Sequence, residues 1–256
     1  MTNDRSIPFS SLDVVPDQAP VVLVHGAFAT DHVWGHVAAR LEAAGHTVVT
    51  VNLPGRPGRP MPASDVTLSL HRDAVLAALE ILERPAILVG HSFAGIVIAA
   101  AAEEAPEKID TLVFVAAYLP EDGDSLVSLA QQDPDARIGP NLAIDGDAGI
   151  AVVAYDARAE LFANDGPAGL KAKLPDLIVD EPVAPLATPV RVSAERFGRV
   201  DKAYVRTALD QVISPAFQTQ MIDRAGVRTL ATLQTGHLPF LTDPDGLASA
   251  ISSARV

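Results

Sequence analysis

The sequence contains no cysteine, fewer basic than acidic residues and no apolar run long enough to cross a membrane. Without cysteine there are no disulfides, no thiol catalysis and no cysteine-ligated metals, which fits a reducing compartment. The chain has 19 lysines and arginines against 32 aspartates and glutamates, so its net charge is −13. We therefore expect neither nucleic acid nor an anionic membrane as a partner, because both bind basic surfaces.

The first twenty residues are polar and interrupted by proline, and they lack the apolar core of a signal peptide. We therefore expect a cytoplasmic protein. With 256 residues, 48% of them hydrophobic, the chain is long enough for one large α/β domain or two small ones. We expect residues 1–256 to form that single domain, after an irregular lead-in over residues 1–19.

Short apolar runs alternate with helical patterns in the first half of the chain. The runs at 21–24, 47–51, 87–89 and 111–116 are rich in β-branched residues, which is typical of strands buried on both faces. The stretches 33–44, 67–82 and 96–102 between them predict helices. This order of elements requires a parallel sheet with right-handed crossovers.

The alternation breaks between Tyr118 and about Val190, where proline, glycine and aspartate are frequent. We predict that residues 118–190 form a cap inserted over the sheet edge. Alternation returns with a strand at 202–206, a helix at 215–224, a strand at 227–233 and a helix at 245–253. The predicted fold class is α/β, with a mostly parallel, doubly wound sheet and an inserted cap.

Residues 89–95, Val-Gly-His-Ser-Phe-Ala-Gly, lie between an apolar strand and a run of small apolar residues. A serine in a tight turn between strand and helix is a nucleophile elbow, whose strain projects the hydroxyl toward the helix N-terminus. Gly90 and Ala94 supply the small residues that are needed two positions before and after Ser92. The alternative is an ordinary turn with a surface serine.

A serine nucleophile needs a base, and the base needs an orienting carboxylate. His237 directly follows the last predicted strand, where such a base is expected. Asp210 lies 27 residues earlier, an interval that fits one helix and one strand. Asp122 and Asp124, after the strand at 111–116, are the alternative acids.

The oxyanion hole needs two backbone N–H groups, one after the nucleophile and one from the loop after the first strand. The amides of Phe93 and Ala27 hold these positions, and Gly26 allows a close approach of the loop. The substrate pocket is expected to be walled by aromatic and apolar side chains, each of which could instead be ordinary core: Phe28, Phe93, Tyr118, Phe162 and Leu238.

The other histidines are assigned no part in the reaction. His91 points away from the pocket if Ser92 points into it, because neighbours on an extended segment alternate sides. His25 is expected to brace its loop. His32 and His36 are spaced for one helix face, but they lack a third ligand. We therefore expect no metal and no organic cofactor.

With these residues identified, nearly the whole chain resembles the α/β-hydrolase superfamily, and within it the group of plant methylesterases and α-hydroxynitrile lyases. The resemblance is carried by residues 24–27 with Trp34, by residues 41–46, by the elbow and most specifically by residues 196–218. In that family the aspartate at the place of Asp210 completes the triad. The resemblance implies the α/β-hydrolase fold, and it allows a homodimer because related esterases often dimerise.

The same resemblance separates esterases from lyases. In hydroxynitrile lyases of this group a lysine follows the catalytic histidine and a threonine replaces the glycine of the first loop. Here these positions hold Leu238 and Gly26, so cyanide would leave poorly, whereas apolar Leu238 suits an esterase acyl pocket. Dehalogenases and epoxide hydrolases are excluded because they need a carboxylate where Ser92 stands.

We therefore expect a carboxylesterase whose partner is a small-molecule substrate, a small to medium hydrophobic ester or lactone. Two alternatives remain open at this point: lyase-type cleavage of a carbon–carbon bond by the same triad, and a non-catalytic ligand-binding protein on a hydrolase fold.

Overall fold

The computed structural model describes residues 18–255. Its strands, in chain order, are β1 (Val21–Val24), β2 (Val48–Val51), β3 (Ala86–His91), β4 (Ile109–Val115), β5 (Leu142–Asp145), β6 (Ile150–Val153), β7 (Glu181–Pro182), β8 (Asp201–Thr207) and β9 (Arg228–Leu233). Its α-helices are α1 (Gly35–Ala43), α2 (Leu68–Glu80), α3 (Ala94–Glu104), α4 (Leu126–Ala130), α5 (Tyr155–Ala163), α6 (Ala168–Leu177), α7 (Val183–Ala187), α8 (Pro215–Ala225), α9 (Pro239–Thr242) and α10 (Pro244–Ser252). The lead-in predicted over residues 1–19 lies almost entirely outside the described residues.

Six of these strands form one parallel sheet in the order β2-β1-β3-β4-β8-β9. All four residues of β1 and all six of β3 are buried, so their apolar runs belong to strands that are covered on both faces. Helix α1 packs against α10, and α2 packs against α3. The prediction of an α/β fold with a mostly parallel, doubly wound sheet is confirmed.

Capping residues set several helix ends more sharply than periodicity could. Helix α2 begins at Leu68 because the Thr67 hydroxyl accepts a hydrogen bond from the Leu70 amide. The helix predicted at 33–44 begins instead with a short 3-10 turn, Asp31–Trp34, and becomes α-helical at Gly35.

Among the helices of residues 18–255, none is both long and apolar enough to cross a membrane.

Residues 118–190, called the 118–190 segment below, contain the short helices α4–α7 and a three-stranded antiparallel sheet in the order β5-β6-β7. The sequence analysis did not predict this sheet. Strand β7 has two residues and β5 has four, which is too short for an alternating pattern to emerge. That the segment is a cap inserted within a single domain stays a prediction.

Candidate active site

The elbow is a sharp turn between β3 and α3. Ser92 directly follows β3 and has a φ of 54°, in the left-handed region that residues other than glycine rarely adopt. Helix α3 begins two residues later, at Ala94. The serine therefore stands between the carboxyl end of a buried strand and the N-terminal end of a helix, with the strain expected of an elbow.

Glycines make this geometry possible because three backbones approach closely. A Cβ added at Gly90 would lie 2.8 Å from the Ala94 carbonyl oxygen, as the spacing argument required. A Cβ at Gly26 would lie 2.8 Å from Ser92 Cβ, so the glycine lets the first loop approach the serine this closely. A Cβ at Gly95 would overlap the Tyr118 carbonyl oxygen, a constraint that the sequence analysis did not identify.

The structure brings Ser92, His237 and Asp210 together from three loops. Ser92 Oγ lies 3.0 Å from His237 Nε2, and His237 Nδ1 lies 2.8 Å from Asp210 Oδ2. All three residues are buried. With the proton on Nδ1 bonded to the carboxylate, Nε2 is left to accept the serine hydroxyl proton. This is the geometry of an activated serine nucleophile.

Hydrogen bonds at both oxygens hold the Asp210 carboxylate. Oδ2 accepts from Thr207 Oγ1 at 2.9 Å and from Gln218 Nε2 at 3.2 Å, in addition to His237. Oδ1 accepts from the amides of Val212 and Ile213. Thr207 and Gln218 are positioning groups that the sequence analysis missed. Both lie in the stretch 196–218 that carries the resemblance, but the complete burial of Gln218, which requires a hydrogen-bond partner, is visible only in the structure.

The alternative acids are engaged elsewhere. Asp122 bonds the guanidinium of Arg191 at 3.3 Å, and Asp124 pairs with Arg224 at 3.4 Å. Neither carboxylate bonds to His237. Of the three candidate acids, the structure brings only Asp210 to the base.

His91 supports the base from behind. Its Nε2 lies 2.8 Å from the His237 carbonyl oxygen, and the two rings are 4.6 Å apart between centroids. Burial, and then the neighbouring His237, hold the pKa of His91 well below its usual value. His91 is therefore neutral, its Nε2–H donates to the carbonyl, and no second positive charge stands beside the base.

His25 braces the first loop, as expected. Its Nδ1 lies 2.8 Å from the Gly26 carbonyl oxygen, and its Nε2 accepts from the Leu53 amide at 3.1 Å. Burial, and then the charge of Arg56, lower the pKa of His25 to about 3. The ring is thus a neutral link between the loops that follow β1 and β2.

The amides expected to form the oxyanion hole lie on either side of the serine. Phe93 follows Ser92 directly, and Ala27 lines the same cavity as Ser92. Within residues 18–255 neither amide donates to another protein group, so both are available to a substrate oxygen. The expectation that the Phe93 side chain walls the pocket is wrong: it is fully buried and packs on His71, because α3 turns it into the core.

Two apolar cavities meet at the serine and the histidine. The first, of about 200 Å³, contains Ser92 and Tyr118 and is otherwise mostly aliphatic, with Leu126, Ala130 and Val212 among its walls. Burial, and then the nearby Asp133, raise the pKa of Tyr118, so its phenol stays neutral.

The second cavity, of about 290 Å³, is lined by His237 and Leu238 together with residues of α6 and the stretch after it. Phe28 and Phe162 line both cavities, and their rings are 6.3 Å apart between centroids. The structure therefore places all four residues expected to contact substrate in the walls of these two cavities: Phe28, Tyr118, Phe162 and Leu238. Within residues 18–255, no three histidine or carboxylate side chains group as a metal site.

Comparison with known proteins identifies similar chains. The model of the alpha/beta hydrolase family matches residues 21–250. Salicylic acid-binding protein 2 of Nicotiana tabacum is 29% identical over 252 residues, which cover 90% of this chain and 94% of that protein. A carbendazim hydrolyzing esterase of a Nocardioides species is 42% identical over 113 residues, covering 43% of this chain and 47% of that one.

Other relatives are methylesterases and an alpha-hydroxynitrile lyase of Arabidopsis thaliana, so the resemblance to that group is confirmed. Among solved structures, a pyrethroid hydrolase superposes with a TM-score of 0.81 at 23% identity, covering 92% of this chain and 96% of that one. At that identity the likeness supports the fold.

Proposed function

The chain belongs to the alpha/beta hydrolase family, and on that premise we propose that it is a serine carboxylesterase acting through an acyl-enzyme. The observation that carries the proposal is the continuous chain of contacts from Ser92 Oγ through His237 to Asp210. The relative named as an esterase supports the reaction class.

The reaction consists of two acyl transfers. His237 Nε2 removes the Ser92 proton as Oγ attacks the ester carbonyl, and the amides of Ala27 and Phe93 stabilise the oxyanion that forms. His237 then gives its proton to the leaving alcohol, and the acyl group stays on Ser92. A water molecule, deprotonated by His237, attacks the acyl-enzyme, and His237 returns that proton to Ser92 Oγ as the acid is released. Asp210 holds the imidazole and stabilises its charged form throughout.

The two cavities suggest how an ester lies across the site. The leaving oxygen must be within reach of His237 Nε2, so the cavity lined by His237 and Leu238 accepts the alcohol. The sequence analysis expected Leu238 in the acyl pocket, whereas in this proposal Leu238 lies on the alcohol side. The cavity lined by Ser92 and Tyr118 accepts the acyl group. Because both are apolar and of limited volume, the substrate is a small to medium ester or lactone with apolar groups on both sides of the carbonyl.

Two ester series test this proposal. p-Nitrophenyl esters from acetate to octanoate vary the acyl group, and acetate esters of increasing alcohol size vary the other side. We expect turnover with both series, and a loss of at least about 10⁴-fold in kcat for Ser92→Ala. Ser249→Ala, an exposed serine on α10, is the matched control and should behave as wild type.

Three results would overturn the proposal. The first is a wild-type protein inactive on every ester, and the second is a Ser92→Ala variant that keeps its rate. The third is cyanide release from mandelonitrile that exceeds every ester rate, which would indicate a lyase.

A further inference from the structure

A fully buried ion pair joins the 118–190 segment to the loop after β2, and its carboxylate also bonds the loop that carries the Ala27 amide. Glu181, in β7, and Arg56, in the loop after β2, have no exposed side-chain surface. Arg56 Nη2 lies 2.5 Å from both carboxylate oxygens. Oε2 also accepts a hydrogen bond from the Phe28 amide at 2.7 Å. Glu181 therefore connects Arg56 to the first loop by hydrogen bonds to both.

Phe28 is the residue of that loop whose backbone most needs support. Its φ is 61°, a left-handed conformation that is strained for an aromatic residue. Its amide donates to Glu181, and its carbonyl accepts from the Val179 amide at 3.0 Å. Both polar groups of the Phe28 backbone are thus held by residues 179–181. Ala27, the proposed oxyanion donor, is the preceding residue.

We propose that Glu181 is a positioning residue: by accepting the Phe28 amide, it holds the loop in the conformation that aims the Ala27 N–H at the oxyanion. The inference rests on the proposed function, in which the Ala27 amide stabilises the tetrahedral intermediate. Such a donor works only when it is preorganised near the place of the developing charge.

Arg56 favours the ionised form of the acceptor against the effect of burial. Burial raises the pKa of Glu181, and the guanidinium of Arg56 opposes that rise. Within residues 18–255, Arg56 Nε and Nη1 have no hydrogen-bond partner, so Glu181 is the partner of its charge. His25 and His71 lie near Arg56, and both have lowered pKa values, so they add no competing positive charge. Besides bonding Arg56, the Glu181 carboxylate accepts the hydrogen bond of the Phe28 amide.

An ion pair that only stabilises the fold would also be buried. Two double variants distinguish such a role from the positioning of the first loop. Arg56→Met with Glu181→Gln removes both charges but keeps an acceptor for the Phe28 amide. Arg56→Met with Glu181→Leu removes the charges and the acceptor. Each variant is compared with wild type for melting temperature, kcat and KM on p-nitrophenyl butyrate, and inhibition by a trifluoromethyl ketone that forms an oxyanion on serine.

We expect the Gln variant to keep kcat within about 3-fold of wild type. In the Leu variant we expect kcat to fall about 10- to 100-fold with KM nearly unchanged, since the full loss of an oxyanion donor costs about 100- to 1000-fold. Affinity for the ketone should fall by the same factor as kcat. Equal kcat values in the two variants would overturn the inference.

The single variant Glu181→Gln keeps the test decisive if the Leu variant does not fold. It leaves Arg56 unpaired and should lower the melting temperature sharply, while kcat per site titrated with a phosphonate stays near that of wild type. A fall in kcat per titrated site would overturn the inference. The wild-type rate in the same assay tests the proposed function, so the two can fail separately.

Discussion

The parallel sheet and the 118–190 segment meet at the two cavities, but different interactions hold each of them in place. Ser92, Asp210 and His237 follow β3, β8 and β9 of one parallel sheet, and buried hydrogen bonds hold the loops that carry them. The 118–190 segment consists of short helices and a small sheet. Polar side chains such as Glu181 and Asn164 attach it to the first loop and to the loop of Asp210.

From this difference we expect the sheet to determine the reaction rate and the cavity walls of the 118–190 segment to determine which ester binds. The sheet fixes the reacting groups, because the carboxyl ends of parallel strands share one edge whatever covers them. The 118–190 segment supplies walls of both cavities, among them Ala130 and Phe162, and Leu177 lines the second. Changes at the sheet edge should therefore affect folding and rate, and changes to the cavity walls that the segment supplies should affect which ester is accepted.

The largest expected effect compares glycines from the two parts. Gly95→Ala, in α3, forces a Cβ into the Tyr118 carbonyl and should destabilise the protein by about 3 kcal/mol or more. Gly169→Ala, on the exposed face of α6, meets nothing within 4 Å. It should be neutral or stabilise by up to about 1 kcal/mol. Urea unfolding measures both; similar losses in the two variants would contradict the contrast.

The support of Asp210 provides the next test. Thr207→Val removes the hydroxyl that donates to Oδ2, and we expect kcat to fall about 10-fold with little change in KM, the scale of one hydrogen bond to a charged group. Thr188→Val, at the end of α7, removes an exposed hydroxyl that bonds only the Ala184 carbonyl. Its kcat should match that of wild type. An unchanged kcat in the Thr207 variant would show that the other donors suffice.

Two substitutions by larger side chains in the 118–190 segment test which part of the segment selects the acyl group and which selects the alcohol. Ala130→Leu fills the cavity of Ser92 and should lower kcat/KM for octanoate about 10-fold while leaving acetate esters nearly unchanged. Leu177→Trp narrows the cavity of His237 and should act on large alcohols in the same way. If each variant affected the other series, the assignment of the acyl and alcohol cavities would be reversed.

The last test concerns the pH dependence of stability. Burial, and then Arg56, lower the pKa of His71 to about 4, whereas the unfolded chain has a value near 6.5. Between these values the unfolded state binds more protons than the folded state. The contribution of the neutral His71 to the free energy of unfolding is therefore fully present above about pH 6.5 and is lost as the pH falls toward 4.

His71→Gln should therefore flatten the fall in stability between pH 6.5 and 4.5, by up to about 1.4 kcal/mol per pH unit. His36→Gln, an exposed histidine on α1, is the control. Chemical unfolding at several pH values measures both variants, and equal slopes in the two would contradict the linkage.

The strands and the elbow could be predicted because their signals are local. An apolar run such as 21–24 marks a buried strand, and Gly90 with Ala94 marks the tight turn around Ser92. The order of serine, acid and histidine follows from parallel topology, because successive loops emerge at one edge. These inferences needed only residue types and their spacing.

The sequence by itself determined the parallel sheet, the elbow and the candidates Ser92 and His237, since these follow from local periodicity and from the order of elements along the chain. The tertiary structure decided which of three candidate carboxylates meets the base. Only the tertiary structure decided which side chains of the 118–190 segment reach the site and that Phe93 turns into the core. The same holds for the pairing of Glu181 with Arg56 across 125 residues. Such contacts depend on how distant, irregular segments pack in three dimensions, and no local pattern records that packing.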